Sequence, residues 1–342
     1  MAGGWTSNLR DTDLLFAKLA SYCFDGGPSN CPVYHEDGPA VISDNIQKVL
    51  LRLRSEPLSV PELDGQGPQI ATYNDFMIHL RDIVYNPLKY FPTTAQILHD
   101  VAAGNGSSLV SYKLSLRPDL SIPVPEACKI DGPYSPSCFT AEDRGSLSAP
   151  SNGILCSDAA PGRLSQTKKE YKAYVHKIMG QSRLLGAWWA AIQLPCTAWK
   201  ARGHWRYEGN FHNITAHPIL FAGNTIDPVT PLYNAFLMAN GFLGKDGKGA
   251  GVLHQDSEGH CTYGSVSMCS GRALREYFQT GALPGEVGGL KKIDEWEGHG
   301  KLCEPDRKPL DGYTEDSEAA LPEGEKDAEL WEALVGLNRA WP

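Results

Sequence analysis

Two short apolar runs, each ending in a polar loop and separated by a helix-length stretch, limit what this chain can become. The first is Pro218-Ile219-Leu220-Phe221-Ala222, closed by Gly223-Asn224, and the second is Gly251-Val252-Leu253, ending at His254. Continuous apolar runs of this length, without alternation, are the pattern of strands buried on both faces. The residues between them, from Pro231 to Phe242, carry helical periodicity, and a second helical pattern runs from Ser265 to Phe278. Parallel strands need a crossover, usually a helix, so this order predicts the last βαβα portion of an open parallel sheet. In such sheets the functional residues sit on loops beyond the carboxyl ends of the strands.

Most of the remaining chain reads as helix. Leu9 to Cys23 places Leu14, Leu15, Phe16, Leu19 and Ala20 on one face and stops at Phe24-Asp25-Gly26-Gly27-Pro28. Similar periodicity covers Ile42 to Leu53, Tyr73 to Val84 and Thr94 to Ala103, so residues 1 to about 110 are expected to be mostly helical. From Leu116 to Gly162 the chain is rich in Pro, Ser and Gly and reads as an irregular excursion that a bridge between Cys128 and Cys138 would pin. A long helical pattern resumes from Gln166 to Trp189, and Trp188, Trp189, Trp199 and Trp205 then crowd together as core or pocket wall. The tail from Thr314 to Trp331 is acidic and is expected to be solvated or loosely docked. The division that follows is a cap-like helical region over 1–165, an α/β core over 166–313 and an acidic tail over 314–342.

Composition narrows the function classes. A formal net charge of -9, with no basic stripe, argues against nucleic acid, whose binding needs clustered Lys and Arg. No apolar run approaches the length of a membrane span, and the start of the chain has no basic region followed by an apolar stretch that would direct secretion. Nine cysteines leave at least one thiol unpaired, and the spacings of Cys23 with Cys31 and of Cys269 with Cys303 suit local bridges. Asn105-Gly106-Ser107 and Asn213-Ile214-Thr215 are glycosylation sequons, which fit a secretory history.

The chemistry concentrates in Gly223-Asn224-Thr225-Ile226-Asp227-Pro228-Val229-Thr230-Pro231 and, one helix and one strand later, Ser257-Glu258-Gly259-His260. In an α/β-hydrolase the triad runs nucleophile, acid, histidine along the chain. Asp227 and His260 fill the two late positions: histidine takes the nucleophile's proton, and the carboxylate fixes its tautomer and stabilises the imidazolium. Singly, an Asp before Pro is more often a turn residue or cap, and Gly-His at a strand end is more often only a turn. Their order and placement together favour the catalytic reading. His254, Asp256 and His260 resemble a zinc cluster only weakly, because no familiar motif surrounds them; neither a metal nor a cofactor is expected. Cys261 beside His260 reads as an unpaired thiol sooner than as a substitute nucleophile.

At the level of families, the run Pro218 to Thr230, the Gly259-His260 step, Cys269, the helix with Tyr277-Phe278 and the phrase Gly281-Ala282-Leu283-Pro284 resemble the C-terminal region of tripeptidyl aminopeptidase-like serine hydrolases of the peptidase S33 type. Upstream, Gly4-Trp5-Thr6-Ser7-Asn8-Leu9-Arg10-Asp11-Thr12-Asp13 with Cys23 and Cys31, Ile154-Leu155-Cys156-Ser157-Asp158, and Cys196-Thr197-Ala198-Trp199 are similar to the family's stretch downstream of its nucleophile. The resemblance implies a partial α/β-hydrolase: a largely helical cap lobe plus the C-terminal strands and helices of the parallel core sheet. It also implies release of short units from peptide N-termini, a secreted setting, and bridges Cys23 with Cys31, Cys156 with Cys196 and Cys269 with Cys303.

The departure from the family is the nucleophile. No serine stands in Gly-x-Ser-x-Gly, the sequence a tight nucleophile elbow needs; Ser107 and Ser108 follow Gly106 but lack the second glycine and a preceding strand. The chain is therefore expected to be incomplete as a hydrolase, with Asp227 and His260 serving a serine on a separate N-terminal portion, or to be a non-catalytic binding protein derived from such an enzyme. Its partners would be a peptide, ester or amide substrate, and either that portion or a second copy at the exposed sheet edge.

Overall fold

The computed structural model describes residues 5–63, 65–116, 126–132, 135–141, 148–160, 162, 164, 166–205, 207, 211–242, 249–284, 300–312 and 324–341. The amino-terminal part is helical: α1 (Thr12–Asn30) and α2 (Pro39–Ser55), a small antiparallel hairpin of β1 (Leu58–Val60) and β2 (Gln69–Ala71), then α3 (Tyr73–Tyr85), α4 (Pro87–Ala102) and α5 (Ser107–Ser115). The starts are written in the sequence. Thr72 caps α3 in a reciprocal box with Asp75, while the Asn86 side chain caps α4 with Pro87 at its first position.

Leu116 to Gly162 is less irregular than its composition suggests. Its described residues form α6 (Glu126–Ile130), α7 (Pro136–Ala141) and α8 (Ser148–Asp158), with Cys128 bonded to Cys138. The predicted helix from Gln166 to Trp189 is two, α9 (Lys168–Met179) and α10 (Gly186–Ile192), because the chain turns through residues 180–185 and brings Gly186 back onto Met179, too close for it to carry a side chain. Of the four tryptophans, Trp189 is buried, Trp188 and Trp199 are half-buried, and Trp205 is exposed, so the last is not core.

Among the described residues the main sheet is three-stranded and parallel, in the order β3 (Ile219–Ile226), β4 (Ala250–Glu258) and β5 (Lys301–Cys303). α11 (Leu232–Gly241) crosses from β3 to β4, and α12 (Met268–Thr280) follows β4. α11 covers one face, with Leu232, Phe236 and Ala239 on Phe221, Ala250 and Val252; α12 covers the other, with Ala273 and Leu274 on Leu220, Leu253 and Cys303. This two-sided cover explains why the strands read as unbroken apolar runs. β4 runs on to Glu258, past the His254 at which the apolar run ends. The tail is not simply solvated: α13 (Glu325–Ala340) docks on α12, where a side chain on Gly271 would strike Leu334.

The chain is thus an α/β protein, rich in helix, with a short parallel sheet. Its largest apolar cluster spans the proposed boundary at residue 165, joining Leu15, Leu19, Phe76, Phe91 and Leu98 to Tyr174, Ile178 and Trp189. Ile226 and Val229, which flank the acid loop, belong to the same cluster. Burying side chains of this kind stabilises by about 1.5–3 kcal/mol each, so the loop is held by its neighbours. Disulfides Cys23–Cys31, Cys156–Cys196 and Cys269–Cys303 are present, leaving Cys261 as the free thiol. Among the described residues, no helix is long and apolar enough to cross a membrane.

Candidate active site

A bulge sets up the site. Between Asn224 and Ile226 the pairing of β3 with β4 slips, so that Asn224 faces Gln255 but Ile226 faces Glu258. Irregularities of this kind re-aim the residues that follow. Asp227 and Gly259-His260 leave the two strands side by side, tied by the buried Asn224, whose amide nitrogen donates to the carbonyls of Gly259 (2.9 Å) and Cys261 (2.7 Å). The Gly259 amide donates to Ile226 at 3.0 Å.

Asp227 is buried, and its oxygens are met by donors. Oδ1 accepts from the amides of Val229 (3.0 Å) and Thr230 (2.7 Å); Oδ2 accepts from the Thr230 hydroxyl (2.7 Å) and the Cys261 amide (3.0 Å). His260 Nδ1 lies 3.3 Å from Oδ2 and 3.4 Å from Oδ1. The structure therefore brings together the two residues singled out in sequence. An imidazole in this position carries its Nδ1 proton toward the carboxylate and leaves Nε2 as the base. Burial alone would lower the His260 pKa, but the hydrogen bonds the imidazolium makes to Asp227 and Cys261, and their charges, outweigh it and lift the pKa to about 9.

Residues far away in sequence hold both loops. Thr12 Oγ1 donates to Pro228 O at 2.6 Å and Asn8 Nδ2 to Val229 O at 2.9 Å, so the first turn of α1 and the segment leading into it brace the acid loop. Asp11, on that turn, is pushed up to about 6 by burial, with Arg10 opposing and Asp227 adding to the rise. On the other side the His260 amide donates to Tyr85 O at 3.2 Å, and the Tyr85 ring meets the imidazole edge-on at 5.1 Å between centroids. Gly259 is required here: its φ is +102° and a side chain would lie 2.5 Å from Pro87 Cδ. Buried Glu258 pairs with Lys18 (3.2 Å) and accepts from the Tyr22 hydroxyl (2.6 Å), joining the end of β4 to α1. Sequence reasoning missed these supports, because nothing in local pattern links position 85 or 12 to position 260. Gly-His after a strand and Asn-Thr-Ile-Asp-Pro were the only local signals.

The other sequence candidates are placed elsewhere. His254 Nε2 and Asp256 Oδ1 both meet the Thr225 hydroxyl, at 2.7 and 2.5 Å, on an outward face, while His260 turns to Asp227. Ser107 and Ser108 open α5. Cys261 Sγ lies 3.7 Å from Nδ1 and 3.6 Å from Nε2 of His260. A point equidistant from both ring nitrogens is off the lone-pair axis of either, a poor position for proton transfer. Asp227, His260 and Cys261 offer ligand atoms within 4.8 Å of one another, but a metal there would have to displace donors already on Asp227.

A carboxylate and an imidazole on consecutive loops beyond two parallel strands, joined by a crossover helix, is the acid–base arrangement of α/β-hydrolases. Residues 182–289, which contain both loops, match the family described as TAP-like protein, and the match supports a tripeptidyl aminopeptidase-like α/β-hydrolase C-terminal region over this stretch. Comparison of the chain with curated proteins gives no match.

Proposed function

We propose that this chain supplies the acid–base pair and cap of a serine hydrolase that releases short units from the N-termini of peptides, and that the nucleophilic serine comes from a polypeptide portion this sequence does not contain. The observation that carries the reading is the contact of His260 Nδ1 with a carboxylate already held by three backbone amides. Asp227 orients His260 and balances the charge it gains; in the neutral form of the ring, the minor one below about pH 9, Nε2 removes the serine proton during attack on the carbonyl and returns it to the leaving amine. Residues 1–165 would roof the site and 166–313 would carry it. β3 stands at one edge of the sheet among the described residues, and its outer flank is where a strand from the serine-bearing portion would add.

The test is reconstitution. The chain alone should take no fluorophosphonate label on any serine; mixed with a serine-bearing N-terminal portion of a tripeptidyl aminopeptidase-like hydrolase, it should restore hydrolysis of a tripeptidyl anilide, and His260→Ala should abolish that gain. Stoichiometric labelling of a serine in the isolated chain would overturn the separate-nucleophile reading. The lack of any Gly-x-Ser-x-Gly favours one competing reading, a non-catalytic binding protein, which would bind peptide without turnover and be indifferent to His260→Ala.

A further inference from the structure

The last turn of the C-terminal helix α13 lies against His260, outside the residues matched by the family comparison. Asn338, buried, donates from Nδ2 to the carbonyl of Tyr263 at 2.7 Å, three residues beyond His260. Its own carbonyl accepts from Asn86 Nδ2 at 2.8 Å, and Asn86 follows the Tyr85 whose carbonyl holds the His260 amide. One residue thus grips both segments that fix the imidazole. Lys89 Nζ closes the turn on the carbonyls of Arg339 and Trp341, each at 3.4 Å. The Trp341 indole then stacks obliquely on His260, 6.0 Å between centroids, and on Tyr263, 5.7 Å. Its Nε1 is buried without a hydrogen-bond partner among the described residues, a cost that packing of the ring must offset.

We infer that Asn338 and Trp341 form a clasp that positions His260 against Asp227, making the C-terminal helix part of the site's positioning machinery and not an appendage. The inference rests on the proposed role of His260 for its consequence in turnover, but its geometry can be tested without any activity. The groups that bear on the ring are Asp227 and the Thr230 hydroxyl from the β3 loop, Cys261 beside it, Tyr85 from α3 and Trp341 from α13; Asp11 stands behind Asp227. Loosening α13 lets the imidazole swing off the carboxylate while the rest of this set stays in place.

The experiment is an NMR titration of the histidine imidazoles in the whole chain, with carbethoxylation of His260 by diethyl pyrocarbonate at pH 7 as a second measurement. In the unaltered protein His260 should titrate near 9. Asn338→Ala and Trp341→Ala should each lower that midpoint by about one unit, which raises the neutral fraction and the modification rate about tenfold. Trp341→Phe, which keeps a ring, should restore both. If Asn338→Ala does not fold, Lys89→Met loosens the same turn without leaving a buried polar group unpaired and should move the midpoint in the same direction. Variants that titrate like the unaltered protein overturn the clasp; so does faster modification with an unmoved midpoint, which would make α13 a cover only. An unaltered protein whose His260 titrates at the ordinary imidazole value would instead sink the Asp227–His260 pairing itself.

Discussion

β4 and the loop that follows it carry two histidines, and their surroundings push them in opposite directions. His260 faces a buried carboxylate directly, and its pKa is lifted to about 9 against the effect of burial. His254 shares a hydroxyl, Thr225, with the exposed Asp256; there burial prevails over the charges of Asp256 and Glu304, and the pKa falls. The residue types are the same, an aspartate, a threonine and a histidine on β3 and β4. In both clusters a hydroxyl meets the ring, Thr230 Oγ1 lying 3.1 Å from His260 Nδ1; what differs is that at His260 a buried carboxylate also touches the ring directly, and its charge favours the imidazolium. The contrast explains why counting acids near a histidine does not find the histidine that is paired with one.

The largest effect should come from removing the carboxylate. Asp227→Asn leaves a buried amide group facing the Val229, Thr230 and Cys261 donors, and should drop the His260 midpoint below the ordinary imidazole value while lowering reconstituted turnover by about ten-thousand-fold. The linked stability has a definite sign. Because the folded pKa of His260 is raised, its contribution, on the order of 3 kcal/mol, is fully present below about pH 6.5 and is lost as pH rises through about 9. Urea unfolding between pH 6 and 10 should show that loss in the parent protein and not in the variant; a parent curve flat across that window breaks the comparison.

Gly259→Ala comes next. A side chain at positive φ, meeting Pro87 Cδ at 2.5 Å, should cost about 3 kcal/mol and pull His260 away from Tyr85, measurable as a lower denaturation midpoint with the titration of His254 unchanged. The smallest effect should be that of His254→Gln, which disturbs only a partly exposed hydroxyl contact. It should change stability by about 0.5 kcal/mol or less and leave the His260 titration where it was. A large effect there would mean that the two clusters communicate through the bulge between Asn224 and Ile226.

What sequence reveals of this molecule follows from the range of the forces involved. The β3, α11, β4, α12 order was legible because both faces of the sheet are covered, which makes the strands continuous apolar runs bounded by Gly and Pro. Asp227 and His260 were legible through their order on those elements. β5 was not, because Lys301–Cys303 is three residues long and only one of them is buried. Nor was the break between α9 and α10, since apolar periodicity continues across it and the constraint is the close approach of Gly186 to Met179. The docking of α13 was hidden by an acidic first half: Glu325, Asp327, Glu329 and Glu332 read as a solvated tail, whereas Asp327 pairs with Arg272 and Arg275, and the apolar end reaches His260. Tyr85, Asn86 and Thr12 act through backbone carbonyls or single hydrogen bonds across the fold, and no local pattern announces them.

The way Asp227 is held has a consequence for anyone redesigning this loop. Three of its tethers are main-chain N–H groups, so most of the carboxylate's aim is set by the path of the backbone and is indifferent to which side chains decorate it. Position 261 contributes its amide from a backbone angle, φ +62°, that suits glycine better than cysteine. A protein engineer wishing to dispense with the oxidisable thiol therefore has a natural substitution there, one that keeps the tether and relaxes the chain.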